Sequence, residues 1–178
     1  MNFFIDAGFA VSRNNLHQTI PTLYKTWSLS LDIMPTGLVG GWSNILHIGT
    51  GGNGAVYGDR TPGIWLTDMN TRLHIPSAIN DNQNYYSYGN TDPIPMNEWT
   101  HVEVSQQRQP IYISTDQPIY LYTIRIGGII FTETVNENPA VFSDVKVYTS
   151  DNFYSPSKAR IDNLKIWTGP DSTTGKQT

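Results

Sequence analysis

The sequence predicts an all-β protein in which two antiparallel sheets pack face to face as a single-domain sandwich. Three observations support this prediction: short runs in which apolar and polar side chains alternate, turn-forming residues between those runs, and no stretch with helical periodicity. Short strands separated by turns are typical of sandwiches and barrels. The 178 residues are enough for one domain with a buried core, and the 15 glycines and 11 prolines supply its turns.

Alternation locates the strands and predicts which of their faces are buried. Residues 27–33 and 99–104 alternate most clearly, so Leu31 and Val102 are expected to point into the core. Gly127 and Gly128 separate two apolar runs and predict a tight hairpin. The predicted strands are, in chain order, residues 27–33, 42–48, 63–67, 71–75, 99–104, 119–126, 129–135, 141–148 and 161–167. A single helical turn is allowed only at residues 152–158.

Composition excludes several classes of function. The net charge of -4 provides no basic surface for nucleic acid. No apolar run approaches the ~20 residues of a membrane helix, so membrane insertion is not expected. The chain has no cysteine, which excludes disulfide bonds and cysteine-ligated zinc.

The two ends of the chain lead to separate predictions. Residues 1–6 are too short and too acidic for a signal peptide, so we expect a mature fragment to which Met1 was added for initiation. Separately, we expect a secreted, extracellular protein whose leader lies outside this sequence. Residues 1–168 are expected to form the domain. Residues 169–178 have no large apolar side chain and are expected to form a flexible tail.

Four segments together resemble the laminin-G-like, concanavalin A-like lectin and glucanase superfamily, which includes the pentraxin-like jelly rolls. They are WSLSLDI at 27–33, NEWTHVEV at 97–104, YTIRIGG at 122–128 and RIDNLKI at 160–166. Their order and spacing match over residues 24–168. The resemblance implies a two-sheet antiparallel jelly-roll sandwich but no particular subfamily, and it is weak for function because the superfamily contains lectins, adhesion modules, pentraxins and glucanases.

The function expected from this resemblance is that of a non-catalytic binding module. Carbohydrate recognition or extracellular adhesion comes first, with a glycan or glycoprotein as partner. The alternative is a structural, self-assembling β-protein that forms a homo-oligomer through exposed sheet edges, since low charge favours association. A glycoside hydrolase is the third hypothesis.

The predicted carbohydrate site combines a polar, tyrosine-rich loop at residues 80–88 with the segment that precedes the strand at Gly63. Amide and carboxylate groups would bind sugar hydroxyls, and tyrosine rings would stack on the sugar. Alternatively, the loop is simply soluble and its tyrosines pack on the sheet. The candidate residues are Asp59, Arg60, Asn80, Asn82, Tyr85 and Tyr86.

A calcium site is a further candidate, because calcium-binding relatives place an aspartate at the start of this strand. Asp59 and Asn53 would supply oxygen ligands, and main-chain carbonyls of the glycine-rich loop would complete the shell. Bound calcium would then raise the melting temperature. The other interpretation is that Asp59 caps its own turn.

Catalytic candidates are few. The E-x-D-x-x-E strand pattern of the superfamily's glucanases does not occur in this sequence. His101 and Glu103 lie two residues apart on one predicted strand face, as an acid/base pair would. They also fit a solvent-facing pair. Tyr112, Tyr120 and Tyr122 suggest either an aromatic platform or ordinary packing.

Overall fold

The computed structural model of the protein, which describes residues 2–5, 8–85, 92–110 and 118–171, is a jelly-roll β-sandwich. The described residues contain no helix, as predicted, and therefore none that could cross a membrane. The strands are β1 (Asn2–Ile5), β2 (Phe9–Ala10), β3 (Leu16–Leu23), β4 (Thr26–Pro35), β5 (Ser43–Gly49), β6 (Gly63–Leu66), β7 (Leu73–His74), β8 (Ser77–Ile79), β9 (Asn82–Tyr85), β10 (Thr100–Arg108), β11 (Tyr120–Ile126), β12 (Ile129–Asn136), β13 (Phe142–Tyr148), β14 (Ser155–Pro156) and β15 (Ala159–Gly169).

Two sheets make the sandwich. The seven-stranded sheet has the order β1-β15-β4-β10-β11-β12, with β2 also paired to β15. The six-stranded sheet has the order β3-β13-β5-β6-β7, with β14 parallel to one end of β5. The short hairpin β8-β9 forms a third, separate pair.

The core lies between the two sheets, where the alternation predicted it. Leu31 on β4 and Val102 on β10 are both 0% exposed and lie opposite each other in register. The six-stranded sheet contributes Leu46 and Ile48 from β5 and Val147 from β13. The predicted inward faces are therefore confirmed.

The glycine hairpin between β11 and β12 is also confirmed. Gly127 and Gly128 have φ values of 59° and 81°, the left-handed pair that a two-residue hairpin needs. Tyr120 and Tyr122 on β11 are 2% and 0% exposed, so these two tyrosines pack in the interior and form no platform. Tyr112 and residues 113–117 lie outside the described residues.

Several elements differ from the prediction. Strand β3 was not predicted, because Pro21 interrupts its pattern; Pro21 is tolerated since β3 is an edge strand. Residues 152–158 contain the short strand β14 and no helical turn. Residues 82–85, predicted as part of a loop, form β9.

The chain stays attached to the sandwich beyond residue 168. Strand β15 continues to Gly169, and the Asp171 carboxylate accepts hydrogen bonds from Thr26 Oγ1 at 2.5 Å and from the Tyr120 hydroxyl. Burial, together with this carboxylate, raises the pKa of Tyr120 to about 12. Residues 172–178 of the predicted tail lie outside the described residues.

Candidate functional site

The outer face of the six-stranded sheet, which points away from the core, carries a row of aromatic rings. His47, Trp65 and His74 occupy the outward positions of β5, β6 and β7, between core-facing aliphatic residues. The ring centroids of His47 and Trp65 are 5.7 Å apart, and those of Trp65 and His74 are 6.2 Å apart. Trp42, which is 44% exposed, extends the row with its ring 4.8 Å from His74.

Asp59 organises the loop at residues 50–59, here called the glycine loop. Its Oδ2 accepts hydrogen bonds from the backbone N–H groups of Gly54, Ala55 and Val56 at 3.1, 3.0 and 2.9 Å. Thr50 Oγ1 donates to Oδ1 at 3.2 Å. Burial raises the pKa of Asp59, but these hydrogen bonds outweigh it and hold the pKa below its ordinary value of 3.8. Asp59 therefore caps its own turn.

Two glycines allow the glycine loop to fold back on the end of β5. A Cβ atom at Gly49 would overlap the carbonyl of Asp59, and one at Gly52 would overlap the Asp59 carboxylate. Only glycine permits both approaches without a shift of the backbone. The glycines of this segment are thus required by close packing as well as by turn formation.

A second aspartate organises residues 149–154, here called the aspartate loop. Asp151 Oδ1 accepts hydrogen bonds from the N–H groups of Phe153 and Tyr154 at 2.9 and 3.0 Å. Asp151 Oδ2 lies 2.6 Å from His47 Nδ1, and His47 Nε2 lies 2.6 Å from the Asp59 carbonyl oxygen. Both ring nitrogens of the buried imidazole thus lie within hydrogen-bonding distance of an oxygen, one from each loop. His47 thereby ties the two loops together.

A cavity of about 80 Å³ lies between the two loops, and His47 is among its lining residues. Gly49, Gly51 and Gly52 also line it. The lining further includes two aromatic residues, Tyr148 and the 44% exposed Phe153, and the exposed Asn152. Tyr148 reaches the pocket because it pairs in register with His47 across β13 and β5. We call this cavity the glycine pocket.

Arg60 lies across the glycine loop from the pocket and is only 7% exposed. Its guanidinium lies over the Trp65 ring, 4.6 Å from the centroid. Nη2 donates to the carbonyl and the side-chain oxygen of Asn53 at 3.0 and 3.2 Å, and to the Tyr154 hydroxyl at 3.4 Å. Nη1 donates to Asn84 Oδ1. Arg60 thus joins the glycine loop, the aspartate loop and β9.

The structure brings together only part of the predicted carbohydrate site. Asp59 and Arg60 both bind the glycine loop but do not line the pocket, whereas the Asn80 side chain fastens the β8-β9 turn to Val135 and Glu137. Asn82 is exposed and caps its own turn by accepting from the N–H of Asn84 at 2.9 Å.

Tyr85, another predicted site residue, is half-buried against the core. Tyr86 lies outside the described residues. Roles in ligand binding for these six residues stay predictions.

Sequence reasoning missed His47, Tyr148, Asp151 and Phe153. Two weak signals were present: His47 sits on a predicted strand just before a glycine-rich loop, and Asp151 follows another strand directly. Nothing in the sequence indicated that these two strands are neighbours.

The predicted calcium ligands are already engaged within the protein. Both oxygens of Asp59 accept hydrogen bonds, and both oxygens of Asn53 face the Arg60 guanidinium. Within the described ranges, no three His, Cys, Asp or Glu side chains are placed to hold a metal. Calcium binding at Asp59 and Asn53 stays a prediction, and it would require the guanidinium to leave.

The predicted His101–Glu103 pair lies on the outer face of the seven-stranded sheet, remote from the pocket in the fold. His101 Nε2 is 3.5 Å from Glu103 Oε1, and both side chains are 46% exposed. His101 Nδ1 is 2.5 Å from Asp32 Oδ1. Burial raises the pKa of Asp32, but hydrogen bonds from Asn163 and His101 outweigh it and lower the pKa. A catalytic acid for glycoside hydrolysis needs a raised pKa, so Asp32 does not fit that role.

No protein-family model matches the sequence, and no curated protein resembles it in sequence. Solved structures do resemble the fold. The CBM40 module of the Ruminococcus gnavus IT-sialidase, bound to α2,3 sialyllactose, superposes with a TM-score of 0.58 and 11% identity. That match covers 93% of this chain and 90% of the module.

Two further structures show the same architecture. A heptameric SAP-like pentraxin from Limulus polyphemus matches with a TM-score of 0.54 and 12% identity over 85% of this chain and 67% of the pentraxin. Trypanosoma rangeli sialidase matches with a TM-score of 0.56 and 16% identity. The match covers 81% of this chain but only 20% of the sialidase. At such identities the likeness establishes the fold alone. It confirms the jelly-roll sandwich of the concanavalin A-like, pentraxin-like type that the four sequence segments implied.

Proposed function

We propose that the protein is a non-catalytic glycan-binding module whose site is the glycine pocket. The observation that carries the proposal is the composition of that pocket, in which aromatic rings, an exposed amide and glycine backbone surround a small cavity. Aromatic faces accept the C–H surface of a sugar ring, and amide and main-chain groups bind its hydroxyls. Recognition of glycans outside the cell, including adhesion, belongs to the same proposal.

The two loops that form the pocket are held in place before any ligand arrives. Asp59 fixes the glycine loop, Asp151 fixes the aspartate loop, and His47 connects them. Because such a site is already ordered, binding of a ligand costs less side-chain entropy. Such rigidity fits recognition better than a catalytic site that must close over its substrate.

Two structural neighbours support the choice of ligand class. One is the CBM40 module bound to α2,3 sialyllactose. The other is botulinum neurotoxin type C, whose cell entry depends on two ganglioside molecules; it matches with a TM-score of 0.52 and 13% identity over 83% of this chain and 34% of the toxin chain. Both ligands carry sugars, so we take a glycan as the partner of the glycine pocket.

Replacing Phe153 by alanine should weaken glycan binding about tenfold, because a lost stacking ring costs roughly 1 kcal/mol or more. The melting temperature should hardly change, since Phe153 is 44% exposed. The measurement is a glycan array followed by calorimetric titration of the best ligand. A single site of this kind is expected to bind in the high micromolar to millimolar range, roughly −4 to −6 kcal/mol.

Two control variants locate the site. Trp99→Ala removes an equally exposed aromatic ring, 45% exposed, outside the pocket, and should bind normally. Asn82→Ala with Tyr85→Ala tests the polar hairpin that the sequence suggested. Binding that survives Phe153→Ala and disappears in the double variant would move the site from the glycine pocket to β9.

Self-assembly is a second candidate, because β12 is an edge strand of the seven-stranded sheet with exposed apolar side chains. Ile129, Ile130 and Val135 are 75%, 46% and 42% exposed. Unpaired strand edges of this kind pair readily with a second chain.

If β12 forms a homo-oligomer, Ile130→Lys should convert it to monomer, because a charged side chain on the edge opposes pairing. Sedimentation velocity over a concentration series measures this. Val141→Lys, at an apolar position 49% exposed outside β12, is the matched control. A wild-type chain that sediments as a monomer at every concentration would refute this candidate.

A further inference from the structure

Arg60 is a buried cation whose hydrogen-bond partners among the described residues are neutral. Within that part of the chain, its two Nη atoms donate to oxygens of Asn53, Asn84 and Tyr154. Among the described residues, the contacts between basic side chains and carboxylates are His47–Asp151, His101–Asp32, His101–Glu103 and Arg125–Glu103, and none of them involves Arg60. Buried charges in proteins are normally paired, because an unpaired charge costs several kcal/mol.

Two buried N–H donors beside this charge have no acceptor within the described part of the chain. They are Arg60 Nε and the indole Nε1 of Trp65. The two groups are neighbours, since the guanidinium carbon lies 4.6 Å from the Trp65 ring centroid. Unsatisfied buried donors are rare in native proteins and often mark the place of a missing ion, water or ligand.

The charge of Arg60 also acts on its surroundings. Burial and then the nearby guanidinium lower the pKa of His74 to about 4. His74 is therefore neutral at physiological pH. The positive charge of Arg60 is therefore felt by its neighbour His74, which adds no second charge of its own.

The glycine pocket and Arg60 share both of their loops. In the glycine loop, Gly51 and Gly52 line the pocket, while the next residue, Asn53, binds Arg60. In the aspartate loop, Phe153 lines the pocket, while Tyr154 binds Arg60. A glycan larger than one sugar can therefore occupy the pocket with one residue and reach toward Arg60 with the next.

We propose that the glycan is acidic and that Arg60 binds the carboxylate of one of its sugars. This inference rests on the proposed glycan-binding function and narrows its ligand class. The weakest contact of the guanidinium, 3.4 Å to the Tyr154 hydroxyl, lies on the loop at the rim of the pocket. Displacement of that hydroxyl opens the guanidinium to the ligand, and a carboxylate then replaces a neutral hydroxyl as the acceptor.

The test compares ligands that differ only in charge. Wild-type protein is titrated with sialyllactose, with lactose, and with the methyl ester of sialyllactose, and a second series compares a glucuronic-acid-terminated disaccharide with its glucose counterpart. We expect the acidic member of at least one series to bind about tenfold more tightly than the neutral one. The methyl ester should lose that advantage. This comparison needs no variant and is unaffected if a substitution at Arg60 impairs folding.

Variants then assign the effect to Arg60. In Arg60→Gln the ratio of acidic to neutral affinity should fall to about one, whereas Phe153→Ala should weaken both ligands together. Equal binding of acidic and neutral sugars by the wild type would overturn this inference and leave the glycan-binding proposal standing. Binding of neither, across the whole array, would overturn both. A charge preference that persists in a folded Arg60→Gln protein would also overturn the assignment.

Discussion

Replacing Leu31 by aspartate should abolish soluble folding. Leu31 is 0% exposed on β4 and faces the other sheet across the core. An unpaired buried carboxylate costs several kcal/mol, and a domain of this size has a total stability of only ~5–15 kcal/mol. Val102→Asp on the neighbouring strand should have the same effect, because Val102 is buried to the same extent.

The matched control for this experiment is Ser28→Asp, on the same strand but on its outer face. It should fold and melt nearly as the wild type does. Soluble yield and thermal melting followed by circular dichroism provide the measurement. Near-normal melting of Leu31→Asp would mean that the inward face of β4 has been assigned wrongly.

Replacing Asp59 by asparagine should destabilise the protein by about 3 kcal/mol at neutral pH. The ionised carboxylate accepts hydrogen bonds from three backbone N–H groups and one hydroxyl in a buried position, and hydrogen bonds to a charged group contribute roughly 1.5–3 kcal/mol. The asparagine side chain keeps one acceptor oxygen, but its NH₂ group cannot accept the hydrogen bonds that the second carboxylate oxygen accepts. Urea denaturation at pH 7 measures the loss, with the exposed Asp92→Asn as control.

The loss of stability caused by Asp59→Asn should also depend on pH. The pKa of Asp59 in the folded protein is lowered, so its ionisation stabilises the fold at every pH above the ordinary, unfolded-state pKa of 3.8. That contribution is lost as pH falls through the lower, folded-state pKa. The difference in stability between wild type and Asp59→Asn should therefore narrow below about pH 4. A difference that stays constant down to pH 2 would show that Asp59 does not act through its charge.

Much of the fold follows from local patterns. Alternation at residues 27–33 and 99–104 identified two central strands and the correct inward faces, since a side chain's face depends only on its position along the strand. Gly127 and Gly128 identified their hairpin because glycine adopts the required positive φ values without the steric cost of a side chain. The possibility that Asp59 caps its own turn was visible too, because the donors lie within five residues of it.

Edge elements were harder to predict. Strand β3 contains a proline, and the two-residue strands β2 and β14 are too short for alternation to be seen. Their existence depends on neighbours already in place, which supply the hydrogen bonds that a short segment cannot provide for itself.

The sequence by itself determined the all-β class, the strands that form the core and their buried faces, because these depend on neighbouring residues. The tertiary structure alone decided the candidate site. His47 and Asp151 are 104 residues apart, and they meet because β13 pairs with β5. Arg60 meets Tyr154 across 94 residues for the same reason. Alternation states which way a side chain points but not which strand lies beside it, so a pocket built between distant loops appears only when the sheets are assembled.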